Sequence, residues 1–585
     1  MKNFFKTVMA NIVAILLVGG IFFVLSILFL VVSAASGDSK PSVKSNSILT
    51  IDSKTVILDS PTEDQEGMFT FGTKEKKVLI FDLIEAIKKA KTDSKIKGIS
   101  IESDMLKGGI SQISDLRNAL EDFKKTGKFV YAYGNNVNQP SYYLGSVAEQ
   151  YYLHPAGGID LRGMSTEVVY LKSFTEKYGI GMDIIRHGKF KAAVEPFMRD
   201  DMSEENREQL STMLDDIWTD FSGKIAASRK MDTASLNLVA DSLYAVIADN
   251  SLKYKLADKL AQKSEYDSAL KSKLKVDQDK DLNKIPVYKY IRSFKETNRE
   301  KDNQVAVLYA SGQIMNGEGN SDIYSENFVK QIQDLAENKK VKSVVLRVNS
   351  PGGSANASDE ILFELQQLKA KKPLVVSFGD YAASGGYYIS MGADKIYSSP
   401  NTITGSIGVF GMIPYFKELA NRNGVSAHAV ETNDNSAFYS PVNGLSDGGR
   451  NIMTKSVEVT YKRFVDFVTK NRKKSFAQID EIAGGRVWSG TKAKQLGLVD
   501  ELGSLHDAVN FAANKAGLKN YNVAAYPKKK SRFEQFFEDM EEDNLSAKFI
   551  ESKMGKEKFR IYQQLTDPKL QSGVMMQLPY SIEIN

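Results

Sequence analysis

The chain has 585 residues, 77 lysines and arginines against 72 aspartates and glutamates, four histidines and no cysteine. This length exceeds a single core and predicts about two to four domains, while the lack of cysteine excludes thiolate catalysis, disulfides and cysteine-based metal sites. The net charge of +5 is spread along the chain, Lys-rich runs such as Lys528-Lys529-Lys530 lack the aromatic interleaving of a nucleic-acid surface, and His154, His187, His428 and His506 form no metal-ligand pair.

Lys2 and Lys6 precede a run from Thr7 to Gly37 without one charged residue, of which the 25 residues Val8–Val32 are almost wholly apolar. That length spans a bilayer, whereas the apolar region of a secretory signal covers only about 7–15 residues. Although Ser33-Ala34-Ala35 resembles a cleavage site, the expectation is an uncleaved single-pass anchor within residues 1–38. The flanking lysines place the N-terminus in the cytoplasm and the rest of the chain outside it. A polar linker, Gly37–Ser42, leads to a first strand at Ser47–Asp52.

From about residue 75 the chain repeats itself. Lys95-Ile96-Lys97-Gly98-Ile99-Ser100 reappears as Lys340-Val341-Lys342-Ser343-Val344-Val345, an offset of 340 − 95 = 245. At the same offset Gly134 maps to Gly379, Tyr142-Tyr143 to Tyr387-Tyr388, Pro155 to Pro400, Gly163 to Gly408 and Pro196 to Pro441. One offset held over a hundred residues marks a duplication. Each copy reads as strand, amphipathic helix, strand, helix, with Ser325–Leu335 and Ala357–Lys369 as helical stretches, so the fold class is α/β. The boundary is expected in the polar stretch Lys273–Lys284, giving copies at 47–280 and 281–530, followed by a C-terminal helical tail at 531–585.

Both copies share one fold, so their differences mark chemistry. Pro373–Ser377 reads as a buried strand and Tyr387–Ala393 as a short apolar helix, which puts Ser384 at a strand-to-helix turn beside unpaired helix N–H groups. A nucleophilic serine belongs there, although a Ser-Gly-Gly turn without chemistry has the same local pattern. In the first copy the equivalent position is Gln139, and the nucleophile is absent. That copy instead carries Lys191, ahead of Ala192-Ala193-Val194, where the second copy has Ser436. A lysine beside small and apolar residues can be desolvated and serve as a base near neutral pH; most lysines, however, are surface residues. Ser350-Pro351-Gly352-Gly353 ends a strand in a turn whose free N–H can meet a carbonyl oxygen or simply close the turn. Ser406, opposite Leu161 in the first copy, is a further hydroxyl peculiar to the second.

Together these stretches resemble the long, duplicated form of the signal peptide peptidase A family, also called protease IV. The matching motifs are Gly188–Ser203, Ser350-Pro351-Gly352-Gly353-Ser354, Ser384-Gly385-Gly386-Tyr387-Tyr388, Gly405-Ser406-Ile407-Gly408, and Gly485-Arg486-Val487-Trp488-Ser489-Gly490 with Gly497-Leu498-Val499-Asp500. The resemblance covers nearly the whole chain, departing only at Phe190 and Ala192 beside the lysine. It implies tandem Clp/crotonase-like domains and a serine endopeptidase with a Ser/Lys dyad. In that dyad Ser384 is the nucleophile, Lys191 the general base and Ser406 the residue orienting the lysine, with the N–H groups of Gly385 and Gly353 forming the oxyanion hole. It further implies no cofactor or metal, a homotetramer at the bacterial inner membrane with its catalytic part in the periplasm, and cleaved signal peptides and other apolar peptides as substrates. Two other classes compete, an inert scaffold on the same fold and a crotonase-type acyl-CoA enzyme. The complementary placement of serine and lysine argues against the first, and the apolar N-terminus together with that pair against the second.

Overall fold

The computed structural model describes residues 2–35, 40–61, 75–294, 302–319, 322–527 and 574–577. A helix spans Lys2–Ala35; among the described residues no helix is long and apolar enough to cross a membrane.

The first copy is built on six parallel strands in the order Lys259–Leu260, Gln150–Asp160, Phe129–Asn138, Ile96–Glu102, Ser47–Asp52 and Lys284–Pro286. In the second copy, Val341–Ser350 lies between Gln304–Ser311 and Leu374–Ala383, all parallel. Val344, Val345, Leu346 and Val348 are buried in sequence rather than alternately, because helices cover both faces of a parallel sheet. Helix Ala355–Lys371 shows how one such cover forms. Ser354 Oγ caps its Ala357 N–H at 3.3 Å, and Ile361, Leu362, Leu365 and Leu368 recur on one face, which is buried.

The duplication is exact at its centre. Phe129–Asn138 and Leu374–Ala383 are strands of ten residues whose two ends both differ by 245. Two expectations need correction. The boundary lies later than 280/281, since Lys284–Pro286 adds a strand to the first-copy sheet and Ile285, Val287, Tyr290 and Ile291 are buried in that copy's core. The polar run preceding them hid this, for a short apolar segment beside lysines carries little local signal. The expected helical tail 531–585 lies outside the described residues except for Val574–Gln577, which is a strand. Those residues sit between two strand edges, and an extended backbone pairs with both.

The copies interlock through a third sheet, ordered Ile323–Tyr324, Ile314–Met315, Gly352–Ser354, Val574–Gln577, Phe410–Tyr415, Gly181–Arg186. Here a first-copy strand pairs antiparallel with a second-copy strand over six residues, from Phe410 opposite Arg186 to Tyr415 opposite Gly181. Helix Glu204–Arg229 of the first copy buries Leu210, Met213 and Ile217 against Ala383, Ile403 and Val487 of the second. At the same boundary the buried Arg347 pairs with Asp59 at 2.6 Å, and Asp380 accepts from Ser111 N at 2.8 Å and Gln112 Nε2 at 2.7 Å.

Candidate active site

Ser384 ends the strand Leu374–Ala383 and precedes the helix Gly385–Ser390. Its backbone holds φ +54° and ψ −115°, a region a non-glycine residue occupies only when its surroundings enforce it. The enforcing bonds are Ser384 N donating to Gly405 O at 2.8 Å and Tyr388 N donating to Ser384 O at 2.8 Å. The serine is fully buried in this state of the chain.

Lys191 arrives from the other copy. It follows the strand Gly181–Arg186, whose pairing with Phe410–Tyr415 carries it across the boundary between copies. Its Nζ lies 2.9 Å from Ser384 Oγ, 3.0 Å from Ser406 Oγ and 3.4 Å from Ser406 O. All three partners are oxygens of uncharged groups. Burial holds the amine well below its usual pKa, because a charge in a dry site with no counter-charge to offset it is costly. The ring of Phe410 closes one side at 5.9 Å.

The two expected oxyanion donors also converge. A Cβ placed on Gly352 would lie 2.8 Å from Gly385 N, and a Cβ placed on Gly385 would lie 3.2 Å from Gly353 N. All five site residues named from the sequence are therefore gathered in one place. His187, the other base near Lys191 in sequence, is instead stacked on Tyr461 with ring centroids 3.8 Å apart.

Sequence reasoning passed over two features. Gly485, quoted only as part of a motif, lies against Lys191: with φ +89°, a Cβ there would stand 2.6 Å from Lys191 N, Cα and Cβ. Its signal was the Gly484-Gly485 pair, which allows close backbone approach. Behind Lys191, the buried Glu195 is held by Arg186 at 3.5 Å and by the Ser203 hydroxyl. The spacing of Arg186, Glu195 and Ser203 carries no recognisable pattern.

The chemistry available is acyl transfer. An amine whose pKa is lowered by burial sits in hydrogen-bond reach of a hydroxyl at a strained turn, with two backbone N–H groups beside it.

Comparison with known proteins agrees. Residues 122–277 and 366–519 match Peptidase family S49, and residues 296–404 match Clp protease. The chain is 37% identical to "Protease 4" of Salmonella typhi over 82% of this chain and 80% of that one. It is 36% identical to "Protease 4" of Haemophilus influenzae over 75% of this chain and 73% of that one. With "Serine protease SPPA, chloroplastic" of Arabidopsis thaliana it shares 30% identity over 74% of this chain and 65% of that one. With the two family matches falling on the two copies of the duplication, the chain belongs to peptidase family S49 and is a serine protease of the SppA type.

Proposed function

We propose that Ser384 is the nucleophile and Lys191 the general base of a peptidase acting on cleaved signal peptides and other apolar peptides. The observation that carries this reading is the 2.9 Å approach of Lys191 Nζ to Ser384 Oγ in a fully buried setting. The neutral amine takes the hydroxyl proton as Oγ attacks the scissile carbonyl. The developing oxyanion is held by the N–H groups of Gly353 and Gly385, and loss of one such donor typically costs about 10²–10³ in rate. The ammonium then protonates the departing amine, and water hydrolyses the acyl-serine by the same route. Ser406 keeps Nζ on the line to Oγ. Strands Gly352–Ser354 and Phe410–Tyr415 flank a slot for an extended peptide backbone.

Anchorage by Lys2–Ala35 is part of the proposal, with the catalytic part on the periplasmic face of the inner membrane. Its support is the uncharged run Thr7–Gly37 and the exposure of Ile12, Ile15, Leu16, Leu17 and Phe22 on that helix. A homotetramer is proposed as well, supported by the exposed Leu243, Val246 and Ile247. Membrane fractionation and light scattering of the detergent-solubilised chain check these two points.

The enzymatic test is hydrolysis of a fluorogenic apolar peptide by the full chain. Ser384→Ala and Lys191→Arg should each lose about 10³-fold or more in kcat, because a guanidinium does not release its proton in a protein. Ser384→Ala activity within about tenfold of the parent chain would overturn the assignment.

A further inference from the structure

Gln209 is a buried polar side chain that the reaction as described does not use. It lies on the first-copy helix Glu204–Arg229, whose Leu210 and Met213 are buried against the second copy, and it is itself 1% exposed. Its carboxamide is engaged at both ends. Nε2 donates to Phe190 O at 3.1 Å and to Asn206 Oδ1 at 3.0 Å, and Oε1 accepts from Val487 N at 3.2 Å.

The two main-chain partners belong to the two segments that must meet for the reaction. Phe190 O sits in the peptide unit that ends in Lys191 N. Val487 N sits in the peptide unit of Arg486 O, and that oxygen accepts from Ser406 N at 2.7 Å. Hydrogen bonds therefore run unbroken from Ser406 N, through the Arg486–Val487 peptide and the carboxamide, to the peptide unit ahead of Lys191. Lys191 Nζ, 3.0 Å from Ser406 Oγ, closes this run into a ring. Val487 also stands opposite Gly405 in the antiparallel pairing of Val487–Ser489 with Ile403–Gly405, and Gly405 O accepts from Ser384 N at 2.8 Å. Linked hydrogen bonds in a dry interior polarise and strengthen one another.

The lysine has little else to fix its backbone. Phe190 and Lys191 lie outside any strand, between Gly181–Arg186 and the short turn of helix Ala192–Val194. Besides Gln209, the second copy reaches this stretch of backbone through the bond from Phe190 N to Gly484 O at 3.1 Å. A lysine tip on a flexible four-carbon stem goes where its Cα goes. Apolar burial at this boundary is already supplied by Leu210, Met213 and Ile217. A carboxamide among them adds direction, because its bonds fix the separation of two main-chain segments.

We propose that Gln209 is a positioning residue for the reaction: its carboxamide sets the distance between the backbone that carries Lys191 and the backbone that carries Ser406, and so holds Nζ within reach of Ser384 Oγ. This role rests on Ser384 and Lys191 acting as described under Proposed function.

The test is kcat and KM of the full chain on a fluorogenic apolar peptide, measured on the alkaline plateau of each pH profile so that the amine is neutral throughout, with Tm recorded for each variant. Gln209→Met keeps the length of the side chain and removes its hydrogen bonds; kcat should fall by about 10–10²-fold with KM within about threefold of the parent, since misplacement by about 1 Å can cost about 10². Gln209→Glu keeps the shape and the acceptor for Val487 N but, once ionised, has no donor for Phe190 O. It should show the same split, and it carries the test if the methionine variant does not fold. Ile217→Ala loosens the same helix against the second copy without touching the carboxamide, so it should lower Tm and keep kcat within about threefold. A Gln209→Met kcat within about threefold of the parent, however far Tm falls, would overturn the positioning role. Equal kcat losses in Gln209→Met and Ile217→Ala would also overturn it, since helix docking would then be what matters. Ser384→Ala in the same assay separates the two readings: if it is inactive while Gln209→Met is fully active, only the role of Gln209 falls, and if it is as active as the parent, the catalytic assignment falls and this role with it.

Discussion

Replacing Gly485 by alanine tests whether the backbone packed behind Lys191 sets the geometry of the reaction. The added Cβ would stand 2.6 Å from Lys191 N, Cα and Cβ, whereas carbon atoms in ordinary contact lie about 3.5–4.0 Å apart. Lys191 or the Gly484-Gly485 loop must therefore move by about 1 Å, and the 2.9 Å separation of Nζ and Oγ can open to about 3.9 Å, past hydrogen-bond range. Misplacement by about 1 Å can cost a factor of about 10² in rate. The alanine also has to adopt φ +89°, a strain of about 1–3 kcal/mol. The expected result is a kcat on the apolar peptide lower by about 10², KM little changed, and a lower Tm. Gly127→Ala is the control: its φ is +80° with no neighbour within 4 Å of the new Cβ, so it should lose stability and keep kcat. A Gly485→Ala enzyme within about threefold of the parent kcat would refute the argument that this contact positions the base.

Because burial lowers the pKa of Lys191 well below 10.5 and the proposed mechanism uses the neutral amine, kcat/KM should rise with pH and level off below the pH at which an ordinary lysine titrates; a profile still climbing at about pH 10.4 would contradict this. Mixing full-length Ser384→Ala with full-length Lys191→Ala should restore no hydrolysis, since both residues reach the site within one chain; recovered activity would mean that subunits share the dyad. Asp115 is buried, which pushes its carboxyl up from 3.8 to about 7 despite the opposing pull of Arg347. The folded state then holds this proton more tightly than the unfolded state, so stability falls as pH rises from about 4 to about 7, by up to about 4 kcal/mol. The urea midpoint of the parent chain should accordingly drop between pH 5 and pH 8 by more than that of Asp115→Asn, and equal drops would refute the assignment.

The sequence by itself determined the α/β class and the duplication, and it singled out the two residues proposed to react. An offset of 245 is a property of the string, and the ten-residue strands ending in Asn138 and Ala383 reproduce it. Ser384 and Lys191 stood out because each is absent from the partner copy, where Gln139 and Ser436 take their places, and acyl transfer needs a hydroxyl and a base of that kind. Tertiary structure alone decided how they meet. The pairing of Gly181–Arg186 with Phe410–Tyr415 joins residues more than 200 positions apart, and edge pairing of that range depends on which faces the packed sheets leave open, a quantity absent from any local window. The dryness around Lys191 is likewise a sum over atoms of Phe410, Gly408 and Gly485, no one of which announces it. The seat of Val574–Gln577 follows the same rule, because four residues without a helical or alternating pattern become a strand only where two other strands have left their backbone groups unpaired.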